Sequence, residues 1–416
     1  MKMMHHFLQS SLAVAIAGIT SSAAFGAAID SWDLGNVAGS GPDADGNYFS
    51  TIYDTSPTSS GATSSGYIKY DLDEGAAPGL KVVSDAPTED STSPVDNCIM
   101  AAGDSTCNGP FQSGKRFKLD RTGFEPIDLV FNLSDGTLAD GNDGLYKVFS
   151  KYGNNTGSAL DGFNISLGFG IGSDFIASTA GDGLSFVDFG SSPKNSEFSA
   201  LFSQGLFGED EERGRLRGYF SGERSGFGVS LMGEDLFQST GLFGDQYGYE
   251  ALFGDWLSYS MAPDGYFYDD DGNPLTDAIL MAHYDSATGK WIMNRGLDAD
   301  GNVVTLASGN EGVQYDSIAD VEAELRRQAG DIPVCTEVPS GPCLAGAGEI
   351  EDLAKFNVTY FIDPVTFDAS NQSSFTLRIS GSSRAVPEPG VLALLATGLV
   401  LLGGRRRSRQ QTARNA

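Results

Sequence analysis

The sequence predicts a mainly β protein. The expected body is an antiparallel β-sandwich or jelly-roll-like exported domain with one or two short helices. A signal peptide precedes it and a C-terminal transmembrane helix follows it. Three observations carry this expectation. Short segments alternate apolar and polar residues with period two, as strands with one buried face do. Glycine, asparagine and aspartate cluster between those segments, where turns need positive φ, and the chain holds 54 glycines. Both ends carry an apolar run beside basic residues, while the interior is acidic.

The charge balance narrows the function classes. The 416 residues include 55 acidic and 26 basic side chains, a formal net charge of −29. Both ends are net basic, so the acidic excess lies between them. Nucleic acid is excluded as a partner, because phosphate backbones require lysine and arginine. Hydrophobic residues make up 40%, enough for a packed core rather than a disordered chain.

Residues 1–26 read as a secretory signal. Lys2 supplies a short positive region, Leu12–Ile19 is apolar, and Ala24-Phe25-Gly26 offers a cleavage context with small residues at the key positions. The apolar run is too short to span a bilayer comfortably. Cleavage near residue 26 removes His5 and His6 and leaves His283 as the histidine of the mature chain.

Residues 27–384 form the β-rich exported domain. Its first part, 27–126, is rich in Gly, Ser and Asp and poor in alternation, and is expected to be looser: a subdomain or long loops on the same sandwich. Strands are expected at Tyr67–Tyr70, Ile127–Asn132, Leu145–Phe149, Phe163–Phe169, Leu216–Phe220, Phe227–Leu231, Ile279–Tyr284, Lys290–Met293, Phe356–Tyr360 and Phe375–Ile379. Three turns share one form: Asp43–Asn47, Asp269–Asn273 and Asp298–Asn302. Asp-Gly between apolar runs is a hairpin signal, and residues 265–306 are expected to make a small antiparallel meander. One helix is well marked. Ser317 precedes Ile318, Val321 and Leu325 on one face, Asp320 lies three residues after the serine, and Gly330 stops the pattern. A second, shorter helix is expected over 349–355.

The cysteines fall in two close pairs, Cys98/Cys107 and Cys335/Cys343. Three pairings are possible, and local closure costs least entropy, so disulfides are expected within each pair. Export to an oxidising compartment favours them, and the spacing is too wide for the usual zinc ligand pairs.

The chain end has a fixed order of parts. Val386, Pro387, Glu388 and Pro389 come first, then the apolar segment Gly390–Gly404, then Arg405, Arg406, Arg407 and Arg409. As a helix the apolar segment is about 22 Å long, short for a bilayer. The arginines would hold its end in the cytoplasm, placing the body outside. The prolines keep the preceding chain extended, the form a protease can grip. Residues 385–416 resemble the PEP-CTERM sorting signal. The resemblance implies recognition by an exosortase, a membrane enzyme that cleaves near Pro-Glu-Pro. It implies export across the inner membrane of a Gram-negative bacterium by the export machinery, a transient single-pass anchor, and a destination at the cell surface or outside. It also implies a host that makes extracellular polysaccharide.

Chemistry is weakly marked. His283 sits in a strand-like stretch with no G-x-S-x-G elbow elsewhere, and reads as structural. The three Asp-rich turns fail the EF-hand spacing and read as hairpin turns, although calcium can bind across loops in an oxygen-only site. The Leu-Phe-Gly-acid motifs at 206–209, 242–245 and 252–255 recur at irregular spacing, which rules out a solenoid. Trp256 and Trp291 read as core residues rather than sugar platforms. No cofactor is implied. The expected function is that of a non-enzymatic surface or extracellular-matrix protein associated with exopolysaccharide. The alternatives are a carbohydrate- or calcium-binding module and, further off, a polysaccharide hydrolase or lyase.

Overall fold

The computed structural model describes residues 27–70, 79–84, 96–103, 106–107, 114–134, 144–160, 162–187, 229–231, 236–239, 256–272, 278–293, 295–305, 313–337, 341–350, 353–369 and 372–382. The protein is mainly β, with two large sheets packed on one core. The smaller of these runs Ala28–Asp33, Ile127–Ser134, Ser374–Ser382, Gly162–Phe169, Leu236–Ser239, Val229–Leu231, with Ile176–Ala177 on the side of Gly162–Phe169. The larger runs Ser185–Phe186, Lys355–Asp363, Tyr146–Asn154, Phe117–Arg121, Ser64–Tyr70, Tyr48–Tyr53, Val37–Ser40, with Asn97–Ala101 and Leu80–Ser84 branching from Tyr146–Asn154. Alternate residues of the facing strands fill the space between them. Phe131, Leu129, Phe375, Leu377 and Ile165 come from one side, and Ile68, Leu119, Val148, Tyr152 and Tyr360 from the other. Phe131 and Phe375 stack with centroids 5.3 Å apart. Tyr152 and Tyr360 share a buried hydroxyl–hydroxyl hydrogen bond of 3.1 Å. Burial pushes the Tyr152 phenol up to about 12.

The sandwich departs from the expectation in one respect: it is not wholly antiparallel. Tyr146–Asn154 is nine residues long and pairs on one side with two shorter strands, both parallel to it. Asn97–Ile99 lies along its first half and Phe117–Arg121 along its second. Its other side pairs antiparallel with Lys355–Ile362.

The described residues of 27–126 contribute seven strands, where the sequence offered few alternating patterns. The reasons are local. Ala28–Asp33 carries a bulge between Ile29 and Ser31 that breaks the period, and Asn97–Ala101 is buried at every position. Val37–Ser40 is a four-residue edge strand. Elsewhere the expected strands appear within a few residues of their expected bounds. Leu216–Phe220 and all three Leu-Phe-Gly motifs lie outside the described residues.

The expected meander is part of a larger unit. A five-stranded sheet runs Val313–Tyr315, Lys290–Met293, Ile279–Asp285, Asp264–Asp269, Cys343–Glu349, with the hairpin Arg295–Leu297/Val303–Thr305 separate from it. It has its own core, in which Tyr266, Met281, Trp291 and Met293 meet Val321 and Leu325 of the helix Ile318–Ala329. That helix begins and ends where the sequence marks it. The Asp320 amide donates to Ser317 Oγ at 3.3 Å, and Gly330, at φ 84°, donates its amide to the Arg326 carbonyl at 2.9 Å. The second expected helix, over 349–355, lies partly outside the described residues. Glu349 ends one strand, Lys355 starts another, and the Leu353 amide closes a turn onto the Ile350 carbonyl. Ile350, Leu353 and Ala354 are buried, so their apolar spacing serves the core.

Both cysteine pairs lie at disulfide distance, with Cα atoms 5.7 Å apart for Cys98–Cys107 and 4.8 Å for Cys335–Cys343. The first covers the outer face of the larger sheet, where Cys98, Met100, Cys107 and Phe149 form a small apolar cluster. Replacing Cys98 and Cys107 together by serine should lower stability by about 2–3 kcal/mol in the chain-entropy model. Urea denaturation of the oxidised protein measures this. Non-reducing peptide mapping of the wild type should recover each pair as a linked peptide.

Candidate functional site

The outer face of the larger sheet carries an unusual row of charges. In Ser64–Tyr70 and Phe117–Arg121, residues Ile68 and Leu119 point into the core, and so does Tyr152 in the neighbouring strand. Period-two alternation then places Lys69, Lys118 and Lys151 on the opposite face. The register sets them side by side: Lys69 opposes Lys118, and Lys118 opposes Lys151. Phe49 continues the row beyond Lys69, and Asn357 beyond Lys151. A second row runs parallel to it, Tyr67 opposite Asp120, Asp120 opposite Gly153, and Gly153 opposite Lys355. Like charges placed directly opposite each other cost a sheet roughly 0.2–1 kcal/mol per pair. Packing does not demand this arrangement.

The two rows floor an open cavity of about 520 Å³. Its cations are Lys69, Lys118, Lys151 and Lys355, its anions Asp43 and Asp120, and its rings Phe49, Tyr67 and Tyr259, with Asn47 and Asn155 at the side. A local positive excess thus sits on a strongly acidic chain. Phe49 meets Tyr67 edge to face at 5.1 Å. Asn155 Nδ2 donates to the Tyr67 hydroxyl at 3.2 Å, and the Tyr259 hydroxyl donates to Asp120 Oδ1 at 3.3 Å. Desolvation raises the Asp120 carboxyl above its usual range, against the pull of Tyr259 and of Lys69, Lys355 and Lys151. Burial, helped by Asp120, likewise raises the Tyr67 phenol.

Gly153 makes this geometry possible. A β-carbon there would overlap Asp120 Oδ1 and approach the Tyr259 oxygen to 2.7 Å. Tyr259 itself is placed by Trp256. The Trp256 backbone pairs with Leu160 in both directions, at 2.7 and 2.9 Å, and its indole donates to the Ala354 carbonyl at 2.7 Å. The short 3₁₀ turn Tyr259–Met261 follows and brings the tyrosine over Gly153.

The residues singled out by sequence fall elsewhere. Val386, Pro387, Glu388, Pro389 and Arg405–Arg407 lie outside the described residues, as do 1–26. No helix among the described residues is long and apolar enough to cross a membrane, and 390–404 are not among them. His283 is buried, 3% exposed, inside the five-stranded sheet. Trp256 and Trp291 are both buried. The turns at Asp43 and Asp298 share one cage. The carboxylate accepts the backbone amides two and four residues on and the side-chain amide of Asn47 or Asn302, at 2.8–3.3 Å. Those hydrogen bonds hold the Asp43 and Asp298 carboxyls below the usual range. Both turns are thus hairpin devices closed by their own donors. Asp269 does the same for the amides of Asp271 and Gly272. Sequence reasoning missed the lysine cavity, because no local pattern marks it.

The described residues thus form a two-layer β body with a lysine-lined cavity and two cysteine pairs at disulfide distance. The family comparison then places the chain's destination: residues 385–407 match the PEP-CTERM protein-sorting motif. The chain therefore carries a signal that exosortase, a membrane protein, recognises, and that directs export to the cell envelope or surface. No curated protein and no solved structure matches the chain.

Proposed function

We propose that this is a non-enzymatic cell-surface or extracellular-matrix protein of a Gram-negative bacterium, associated with extracellular polysaccharide. It leaves the cytoplasm through residues 1–26, is held briefly by a membrane helix over 390–404, and is released by cleavage near Pro387–Pro389. The observation that carries this reading is the sorting motif over residues 385–407. Supporting the binding role over a catalytic one, the cysteines are tied in pairs and His283 lies inside a sheet. The Asp43 and Asp298 carboxylates are engaged by their own loops, which weighs against calcium at those two turns. The Asp269, Asp270 and Asp271 carboxylates lie within 4.8 Å of one another and keep calcium as the second reading.

Tail processing is testable in the producing cell. Glu388→Ala, or Pro387→Ala with Pro389→Ala, should leave the protein in the membrane fraction at its unprocessed mass. Replacing Arg405, Arg406 and Arg407 by alanine should lower the processed fraction by removing the cytoplasmic stop. Normal release of the Glu388 and proline variants would defeat the sorting mechanism. Loss of polysaccharide viscosity on incubation with the purified protein would defeat the non-enzymatic assignment.

A further inference from the structure

We propose that the lysine-lined cavity on the larger sheet binds an acidic saccharide, a short run of sugar rings bearing carboxylates. This deepens the reading of the body as a saccharide binder and is independent of how the tail is processed.

The cavity combines three recognition elements that one ligand class satisfies together. Lys69, Lys118 and Lys151 stand in one transverse row. Adjacent strands lie ~4.8 Å apart, so the row spans ~10 Å and offers about one ammonium per sugar ring of an extended chain. Ammonium groups are point charges that pair with carboxylates without demanding a bidentate geometry. Phe49, Tyr67 and Tyr259 border the row and supply apolar faces and hydroxyls of the kind a pyranose ring uses. The volume of about 520 Å³ is that of a small-molecule site rather than of an inorganic ion site.

The energetics point the same way. Three lysines in direct register on neighbouring strands repel one another, with Asp43 and Asp120 as the anions of the cavity. A bound carboxylate relieves that repulsion, so the strain becomes a source of affinity. Violations of local pairing rules are expected where a site needs them. The acidic remainder of the chain supplies selectivity. With a screening length of about 8 Å at physiological salt, a polyanion feels the cavity only where it enters, and the surrounding surface repels what does not fit.

The test is titration calorimetry on the full-length protein in mild detergent, with galacturonate trimers, a neutral glucan trimer and inorganic phosphate as separate probes. We expect the galacturonate trimer to bind and to weaken as salt is raised, with the neutral trimer and phosphate at least about tenfold weaker. Lys69→Ala with Lys151→Ala should weaken galacturonate at least about tenfold, while Lys81→Ala with Lys290→Ala, which removes the same charge outside the cavity, should leave it unchanged. Circular dichroism confirms that both variants fold. Equal binding of the neutral trimer overturns the acidic assignment and leaves the broader saccharide reading standing. Phosphate binding as tightly as galacturonate overturns the sugar class. Absence of binding by either trimer overturns both. Equal loss in the two lysine pairs reduces the effect to net charge and overturns the site.

Discussion

Asp128→Ala should destabilise the protein by about 3–4 kcal/mol, the lower part of the range for breaking a buried ion pair. Asp128 is 2% exposed and opposes Arg378 directly across two neighbouring strands of the smaller sheet. The pair is bidentate, with Nε to Oδ1 and Nη2 to Oδ2 both at 2.7 Å. The same carboxylate accepts the Gly172 amide at 2.7 Å, and the guanidinium donates to the Gly172 carbonyl at 2.8 Å while lying 3.8 Å from the centre of the Phe175 ring. Two groups thus clamp the turn Gly172–Asp174 onto the sheet. Removing the carboxylate leaves a cation 15% exposed, with one carbonyl and one ring for company. The midpoint of urea unfolding should fall while its slope stays unchanged. Asp128→Leu combined with Arg378→Met should recover part of the loss, since an apolar pair of similar volume avoids the desolvation cost but removes the partners of the Gly172 amide and carbonyl. A single variant within 1 kcal/mol of the wild type would show that the clamp is dispensable.

The clamp and the lysine row mark where sequence reading stops. Strands with clean alternation, such as Gly162–Phe169 and Ser374–Ser382, are legible because one face is core and the other is not. The helix is legible because its cap, its apolar stripe and its terminal glycine are all local. Strand pairing is not local. Lys69, Lys118 and Lys151 each occupy an ordinary polar position. They become a site only because Phe117–Arg121 pairs antiparallel with one neighbour and parallel with the other, in a register no short motif encodes. Arg121 makes the same point from the core side. It reads as a surface cation, yet it is buried and donates to the carbonyls of Ile379, Gly123, Phe124 and Glu125. Burial lowers its pKa to about 10, with Glu125 opposing that shift. The sorting tail is legible for the opposite reason: its parts are contiguous, so order along the sequence carries the match over residues 385–407.

Trp256→Ala should cost about 3–5 kcal/mol, the range for deleting a large buried aromatic. The side chain is fully buried in the main core, and its segment holds three parts of the chain together. Its backbone pairs with Leu160, its carbonyl accepts Asn154 Nδ2 at 2.8 Å, and the next residue donates to Leu353 at 3.1 Å. Trp256→Phe separates volume from polarity. It keeps most of the ring and loses the indole hydrogen bond, but the Ala354 carbonyl retains the Asn154 amide at 2.7 Å. No acceptor is orphaned, so this variant should cost about 1 kcal/mol for the bond, with a further loss for the smaller ring. The two variants should also differ at the cavity. With phenylalanine the chain from 256 to 259 stays anchored, so Tyr259 should still reach Asp120 over Gly153. With alanine the side-chain part of the anchor is lost while the backbone bonds to Leu160 and Leu353 remain, and in folded protein galacturonate affinity should fall although no contacting side chain has changed. If Trp256→Ala weakens stability and leaves affinity intact, the tryptophan fills the core and Tyr259 is positioned by something else. If Trp256→Phe costs as much as alanine, the indole hydrogen bond rather than the buried ring holds this seam.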